Sequence, residues 1–86
     1  MLGMKITQAD RDALAANLRR LRREAGLTQD QLADKALLDP STISRLENGK
    51  VWPKGLSALL LCRALHVPLD ALLEETSFAG SNWGSP

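Results

Sequence analysis

The feature that most restricts this chain is the brevity of one connection: two short amphipathic segments, each with its own start and stop signals, are separated by about three residues. Thr28 is a good N-cap for a helix over Gln29–Ala36, because its hydroxyl can accept from an unpaired amide of the first turn. Leu32, Ala33 and Ala36 then share one face. Pro40 suits the first turn of the next helix, where the missing N–H would be unpaired anyway. Ile43 and Leu46 are its inward positions, and Asn48-Gly49 ends it. That second helix is apolar at only two positions, so the rest of its surface is polar and faces outward.

The flanking segments read as helices too. Thr7 followed by Asp10 is a capping signal, and Leu14, Leu18, Leu21 and Ala25 recur at helical spacing until Gly26, which predicts a first helix over about residues 8–25. Val51-Trp52-Pro53 makes a short connection, after which Ala58, Leu61, Cys62 and Leu65 mark the buried side of a fourth helix. His66 sits where the chain leaves that helix and tolerates an unusual backbone there, while Pro68 opens a fifth with Leu69, Leu72 and Leu73. Residues 76–86 lack periodicity and are expected to be mobile. There are no internal repeats.

An 86-residue chain has room for one domain. Hydrophobic residues make up 44% of it and aromatic ones 3%, so its core must be aliphatic, which suits helices packed on helices. The expected fold class is all-α. A core this small is weakly stabilising alone, and pairing with a second copy would help. The single Cys62 excludes an internal disulfide and reads as core packing. With no signal peptide and no apolar run of about 18 residues, the expected location is the cytoplasm.

Net charge is only +1, but it is uneven: residues 1–54 hold ten Lys and Arg against seven Asp and Glu, whereas residues 55–86 hold one against three. The low total argues against a bulk nucleic-acid coat protein, and the small imbalance leaves room for a locally basic surface. One His and one Cys, without a glycine-rich phosphate loop or zinc spacing, leave little for catalysis. No enzyme activity, metal or cofactor is expected.

Two short helices around a tight turn describe a helix-turn-helix, whose second helix can lie in a major groove. The residues that carry a further resemblance are Leu21-Arg22, the run Gly26 to Gln29, Leu32-Ala33, the run Ser41 to Lys50, Pro53, Leu65 and the run Leu69 to Leu73. Together they resemble the Cro and phage-repressor type, or XRE-type, helix-turn-helix family, over about residues 18–73. The resemblance implies a five-helix bundle of the phage-repressor DNA-binding domain type, with the motif at 29–48. Residues 1–17 would be an N-terminal extension and the start of the first helix, and residues 74–86 a flexible tail.

By the same resemblance, Gln29 contacts the DNA backbone and Pro40, Ser41, Thr42, Ser44 and Arg45 face the groove. Chemistry supports that division. Arg45 is the only long outward donor of the third helix, and a guanidinium matches guanine O6 and N7 with two parallel hydrogen bonds. The Asn48 backbone and Lys50 are placed to hold phosphates, which sets register without reading sequence. Plainer roles stand beside these: a solvated Arg45, a Ser41 that only caps its helix, a Lys50 that is an ordinary loop lysine. Arg22 and Glu47 look like the family's internal ion pair, which orients the reading helix. Arg19, Arg20 and Arg23 are read as a solvated face.

Three positions depart from the family pattern. Leu37 stands where the turn usually has Gly, and a left-handed backbone costs a leucine about 1–2 kcal/mol, which points to a differently built turn. Pro40 offers only apolar contact at the first reading position, for example to a thymine methyl. Gly55 replaces an apolar residue, which predicts a fourth helix starting one turn late.

At 100° per residue, Leu56 and Leu60 point away from the buried face of the fourth helix, beside Arg63. They are either scattered surface leucines, which are common, or, as is expected here, a twofold contact through the fourth and fifth helices, supplemented by Phe78 and Trp83. The resulting expectation is a homodimeric transcriptional repressor that reads double-stranded DNA at a pseudo-palindromic operator. The alternative is a protein-interaction module using those helices and the tail, with a partner such as a toxin.

Overall fold

The computed structural model describes residues 5–79, and these residues form five helices and no strands. Helix α1 spans Gln8–Glu24, α2 Gln29–Ala36, α3 Pro40–Glu47, α4 Gly55–Leu65 and α5 Leu69–Leu72. The all-α expectation and the order of elements hold.

Local chemistry sets the ends of these helices. Thr7 and Asp10 close a reciprocal capping box: the Asp10 amide donates to Thr7 Oγ1 and the Thr7 amide to Asp10 Oδ2, both at 3.1 Å. Thr28 and Gln31 repeat the device at α2, with bonds of 3.1 and 2.9 Å. Gly26 reverses the chain after α1 at φ 74°, and its amide and that of Leu27 satisfy the carbonyls of Arg23 and Arg22. Gly49 does the same after α3 at φ 69°. His66, at φ 57°, ends α4 as its position in the sequence predicts.

Two expectations about the turns are corrected. The α2–α3 turn is built in the usual left-handed way, with Leu37 itself at φ 60° and ψ 40°, so the absent glycine does not alter the path. The Leu38 amide reaches the Ala33 carbonyl at 2.9 Å, and this closure holds the leucine in place. Nor does α4 start late. Its first turn is closed by the Ala58 amide on the Lys54 carbonyl, at 2.9 Å, and Gly55 lies in an exposed position with open space around it, where no apolar side chain is needed.

The aliphatic core runs through all five helices. Leu14 and Leu18 of α1, Leu32 of α2, Ile43 of α3 and Leu61 of α4 are fully buried, and Leu72 closes the core from α5. Helix α3 packs on both α1 and α2, while α4 packs on α2 and α5. Helix α3 is thus supported from behind on two sides.

Residues beyond α5 behave differently from the expected tail as far as Ala79. Thr76 is buried and donates its hydroxyl to the Leu73 carbonyl at 2.6 Å. Ser77 is tied to Asp10, its amide and hydroxyl both donating to Oδ1 at 2.9 and 2.8 Å. Phe78 packs on Trp52 with ring centroids 5.5 Å apart. The Ser77 and Phe78 contacts reach back to distant parts of the chain, which is why no local periodicity announces them. Asn17 adds another tie: its amide donates to the carbonyls of Leu72 and Glu74 at 2.8 and 2.7 Å. Trp83 lies outside the described residues.

Candidate nucleic-acid interface

Helix α3 meets solvent with the residues the sequence singles out. Pro40, Ser41 and Arg45 are exposed, and Thr42 and Ser44 are half-buried. Ile43, Leu46 and Glu47 are buried on the opposite side. Pro40 occupies the helix start, where a proline removes no needed donor. Asp39 precedes it without a side-chain capping bond. A groove of about 290 Å³ runs beside this face to the start of α4, lined by Leu38, Thr42, Arg45, Trp52, Lys54 and Ser57 among others.

Behind the exposed face lies a clamp. Glu47 is only 2% exposed. Its carboxylate receives Arg22 Nε at 2.6 Å and Nη2 at 3.0 Å. Arg22 Nη1 also donates to the Leu27 carbonyl at 2.9 Å, so a single guanidinium ties α1, the α1–α2 turn and the end of α3 together. Hydrogen bonding to Glu47 raises the pKa of Arg22 and keeps it charged. Gln29 completes the set, with Nε2 donating to Glu47 Oε1 at 3.0 Å. One amide hydrogen of Gln29 is therefore turned inward.

Arg19 is corrected by the structure. It is not part of a solvated face: its Nη1 donates to the backbone carbonyl of Glu47, capping the exit of α3. A cation is favourable there because unpaired carbonyls give a helix C-terminus partial negative charge. Arg19 and Arg22 are three apart and share a side of α1, but which groups that side meets is set only by packing. Arg20 does stay exposed, pairing with Glu24 at 3.7 Å and Glu74 at 3.2 Å.

The loop after α3 is held from a distance. Gln8 Nε2 donates to the Gly49 carbonyl at 2.9 Å, a contact across 41 residues that no sequence pattern reveals. Lys50 follows, exposed. The Asn48 expectation needs amendment: its backbone amide is donated to the Ser44 carbonyl at 3.0 Å, as the helix end requires. Its side chain returns to the same carbonyl at 2.8 Å and to Ser44 Oγ at 3.3 Å. Asn48 is exposed, but both its backbone amide and its side-chain amide are engaged with Ser44.

On α4 the exposed leucines are Leu56 and Leu59, whereas Leu60 is half-buried against the core. The helical wheel misplaces Leu60 because α4 is covered by α2 and α5 together, which widens its buried arc beyond one face. Arg63 is exposed beside the two leucines. Phe78, expected at a contact between copies, packs on Trp52 of its own chain. Cys62 is buried, and burial pushes its thiol pKa up, as befits an inert packing residue. Among the described residues no group of three or more His, Cys, Asp or Glu could hold a metal ion. No described helix is long and apolar enough to cross a membrane.

Two helices joined through a three-residue turn, the second presenting a polar face and clamped from behind, define a helix-turn-helix domain. The helix-turn-helix family model (HTH_3) matches residues 18–72. The HTH-type transcriptional regulator y4dJ of Sinorhizobium fredii (strain NBRC 101917 / NGR234) is 35% identical over 71 residues, covering 79% of this chain and 92% of that protein. The HTH-type transcriptional repressor RghR of Bacillus subtilis (strain 168) is 35% identical over 68 residues, covering 78% of this chain and 50% of that protein. This chain therefore aligns with only half the length of RghR. Among solved structures, the restriction-modification controller protein C.AhdI from Aeromonas hydrophila superposes with a TM-score of 0.72 at 33% identity, covering 74% of this chain and 97% of that one. The chain belongs to the XRE-type, or Cro and phage-repressor type, helix-turn-helix family of DNA-binding transcriptional regulators, which is not a family of enzymes.

Proposed function

We propose that this protein binds double-stranded DNA in the cytoplasm as a homodimeric repressor, reading a pseudo-palindromic operator through α3. The observation that carries the reading is a contrast within one eight-residue helix: Ser41 and Arg45 are exposed, while Glu47 is buried and clamped by Arg22. A helix held rigidly from behind presents its outer side chains in one orientation, which groove recognition requires. In this reading Arg45 addresses a guanine, and Pro40, Ser41, Thr42 and Ser44 meet neighbouring base edges and sugars. Gln29 and Lys50 hold phosphates, and Asn48 joins them by exchanging its side-chain bonds to Ser44 for a phosphate oxygen.

The dimer is supported by Leu56 and Leu59, 69% and 59% exposed on one side of α4 next to Arg63, with Leu60 at the margin. Leucines at such spacing lose water contact when a twofold copy covers them. Two copies would set their reading helices about 34 Å apart, one turn of duplex. Repression is the activity named for RghR, and a domain occupying an operator blocks access to it by position alone. The transcriptional regulators to which the chain is similar favour DNA over a toxin as its partner.

Selection of bound duplexes from a random pool tests the whole reading. Enrichment of an inverted repeat with half-sites about ten base pairs apart is the expected result. A pool that stays random, or binding that does not weaken as salt rises, would overturn it.

A further inference from the structure

We infer that Leu37, in the turn ahead of α3, is a specificity-determining residue that makes apolar contact with a thymine methyl at the edge of the sequence read by α3. This rests on the DNA-binding reading above and adds to it a residue outside the helix that the family likeness marks as the reader.

The fold needs the backbone of Leu37 and not its side chain. The turn is closed by main-chain bonds, from the Leu37 amide to the Asp34 carbonyl and from the Leu38 amide to the Ala33 carbonyl, and a glycine makes these equally well. At φ 60° a leucine is strained, because its Cβ crowds the following carbonyl. The residue is also 76% exposed, the most exposed large hydrophobic among the described residues. Strain and exposure both oppose folding, and no packing offsets them. His66 and Glu75 share the left-handed backbone, but both carry polar groups suited to water. Among the described residues, Leu37 alone combines the two penalties.

Its place says what could use it. The next residue, Leu38, turns inward to pack on the core and line the groove beside Thr42 and Arg45. Leu37 is left outside, along with exposed Asp39, Pro40 and Ser41. Three residues of chain span at most about 10 Å, so Leu37 lies within that distance of Pro40 at the groove-facing end of α3. The base-pair feature an aliphatic side chain recognises in the major groove is the thymine methyl. A strained and exposed residue of this kind is kept where function uses it.

The test uses the duplex selected by the wild-type chain and the variants Leu37→Gly, Leu37→Asn, Leu37→Met and Arg45→Ala. Glycine and asparagine both accept the left-handed turn, so if one fails to fold the other remains informative. The inference expects either to weaken binding roughly 5- to 10-fold while leaving the urea midpoint unchanged or raised, and expects Leu37→Met to bind nearly as the wild type. Replacing thymines singly by uracil, which lacks the methyl, should weaken the wild type at one position and leave Leu37→Gly indifferent there. Wild-type affinity and uracil sensitivity in Leu37→Gly and Leu37→Asn overturn the inference and reassign the leucine to a protein contact. A wild-type chain that selects no duplex, or an Arg45→Ala variant that binds unchanged, overturns instead the DNA reading on which the inference stands.

Discussion

Arg22 and Glu47, 25 residues apart, meet through two parallel hydrogen bonds of 2.6 and 3.0 Å in a site where Glu47 is almost wholly shielded from water. The pair connects the end of α1 to the exit of α3, and so fixes how α3 lies against the rest of the domain.

The first expectation follows from that burial. Arg22→Ala leaves a buried carboxylate with only Gln29 beside it, which should cost about 3–5 kcal/mol. Replacing both partners with apolar residues, Arg22→Met with Glu47→Leu, should recover most of that loss while DNA affinity stays reduced. Urea unfolding together with binding isotherms separates the two effects; equal losses in the single and double variants would contradict this account.

Arg45 and Lys50 are expected to fail in different ways. Arg45→Ala should lose about 1–3 kcal/mol on the preferred duplex and relax preference at one base pair. Lys50→Ala should weaken all duplexes alike and lower the salt slope by about one. Binding to single-base variants of the selected site, repeated over a range of salt, reads both quantities.

The Asp10 tie predicts acid sensitivity. Ser77 donates its backbone amide and hydroxyl to the carboxylate, and with the Thr7 amide these bonds hold its pKa at about 2, below the ordinary 3.8. Because the folded value is the lower one, the stabilisation is fully present above about pH 4 and fades as pH falls toward 2. Asp10→Asn should therefore be less stable than the wild type at pH 6, with the gap closing near pH 2. A gap that stays constant across that range, measured by urea midpoints, would mean the carboxylate contributes nothing by its charge.

The exposed leucines of α4 make a claim about assembly. Leu56→Glu with Leu59→Glu should leave helix content and thermal midpoint near those of wild-type monomer, since neither side chain is in the core. Their like charges, one helical turn apart, should abolish self-association by light scattering and weaken operator binding strongly. Unchanged mass at tens of micromolar would exclude this face as the twofold contact.

Much of the architecture was readable from residue order. Thr7, Thr28, Pro40, Gly26 and Gly49 act within one turn of themselves, so the ends of the first three helices could be placed without a fold. The outward face of α3 was equally legible, because two apolar positions in eight leave only one way to orient it. Leu37 and Gly55 were misread since each was judged against a family pattern. In the structure, main-chain bonds across the turn determine the first and an exposed first turn accommodates the second.

Sequence by itself determined the helices, the aliphatic core and the polar side of α3, all properties of spacing over a few residues. Tertiary structure alone decided that Arg19 caps α3, that Gln8 holds the loop before Lys50, that Ser77 is fastened to Asp10, and that Leu59 rather than Leu60 faces water. The physical reason is common to all four. Each depends on which groups from distant parts of the chain become neighbours, and a side chain's surroundings exist only once the helices have packed.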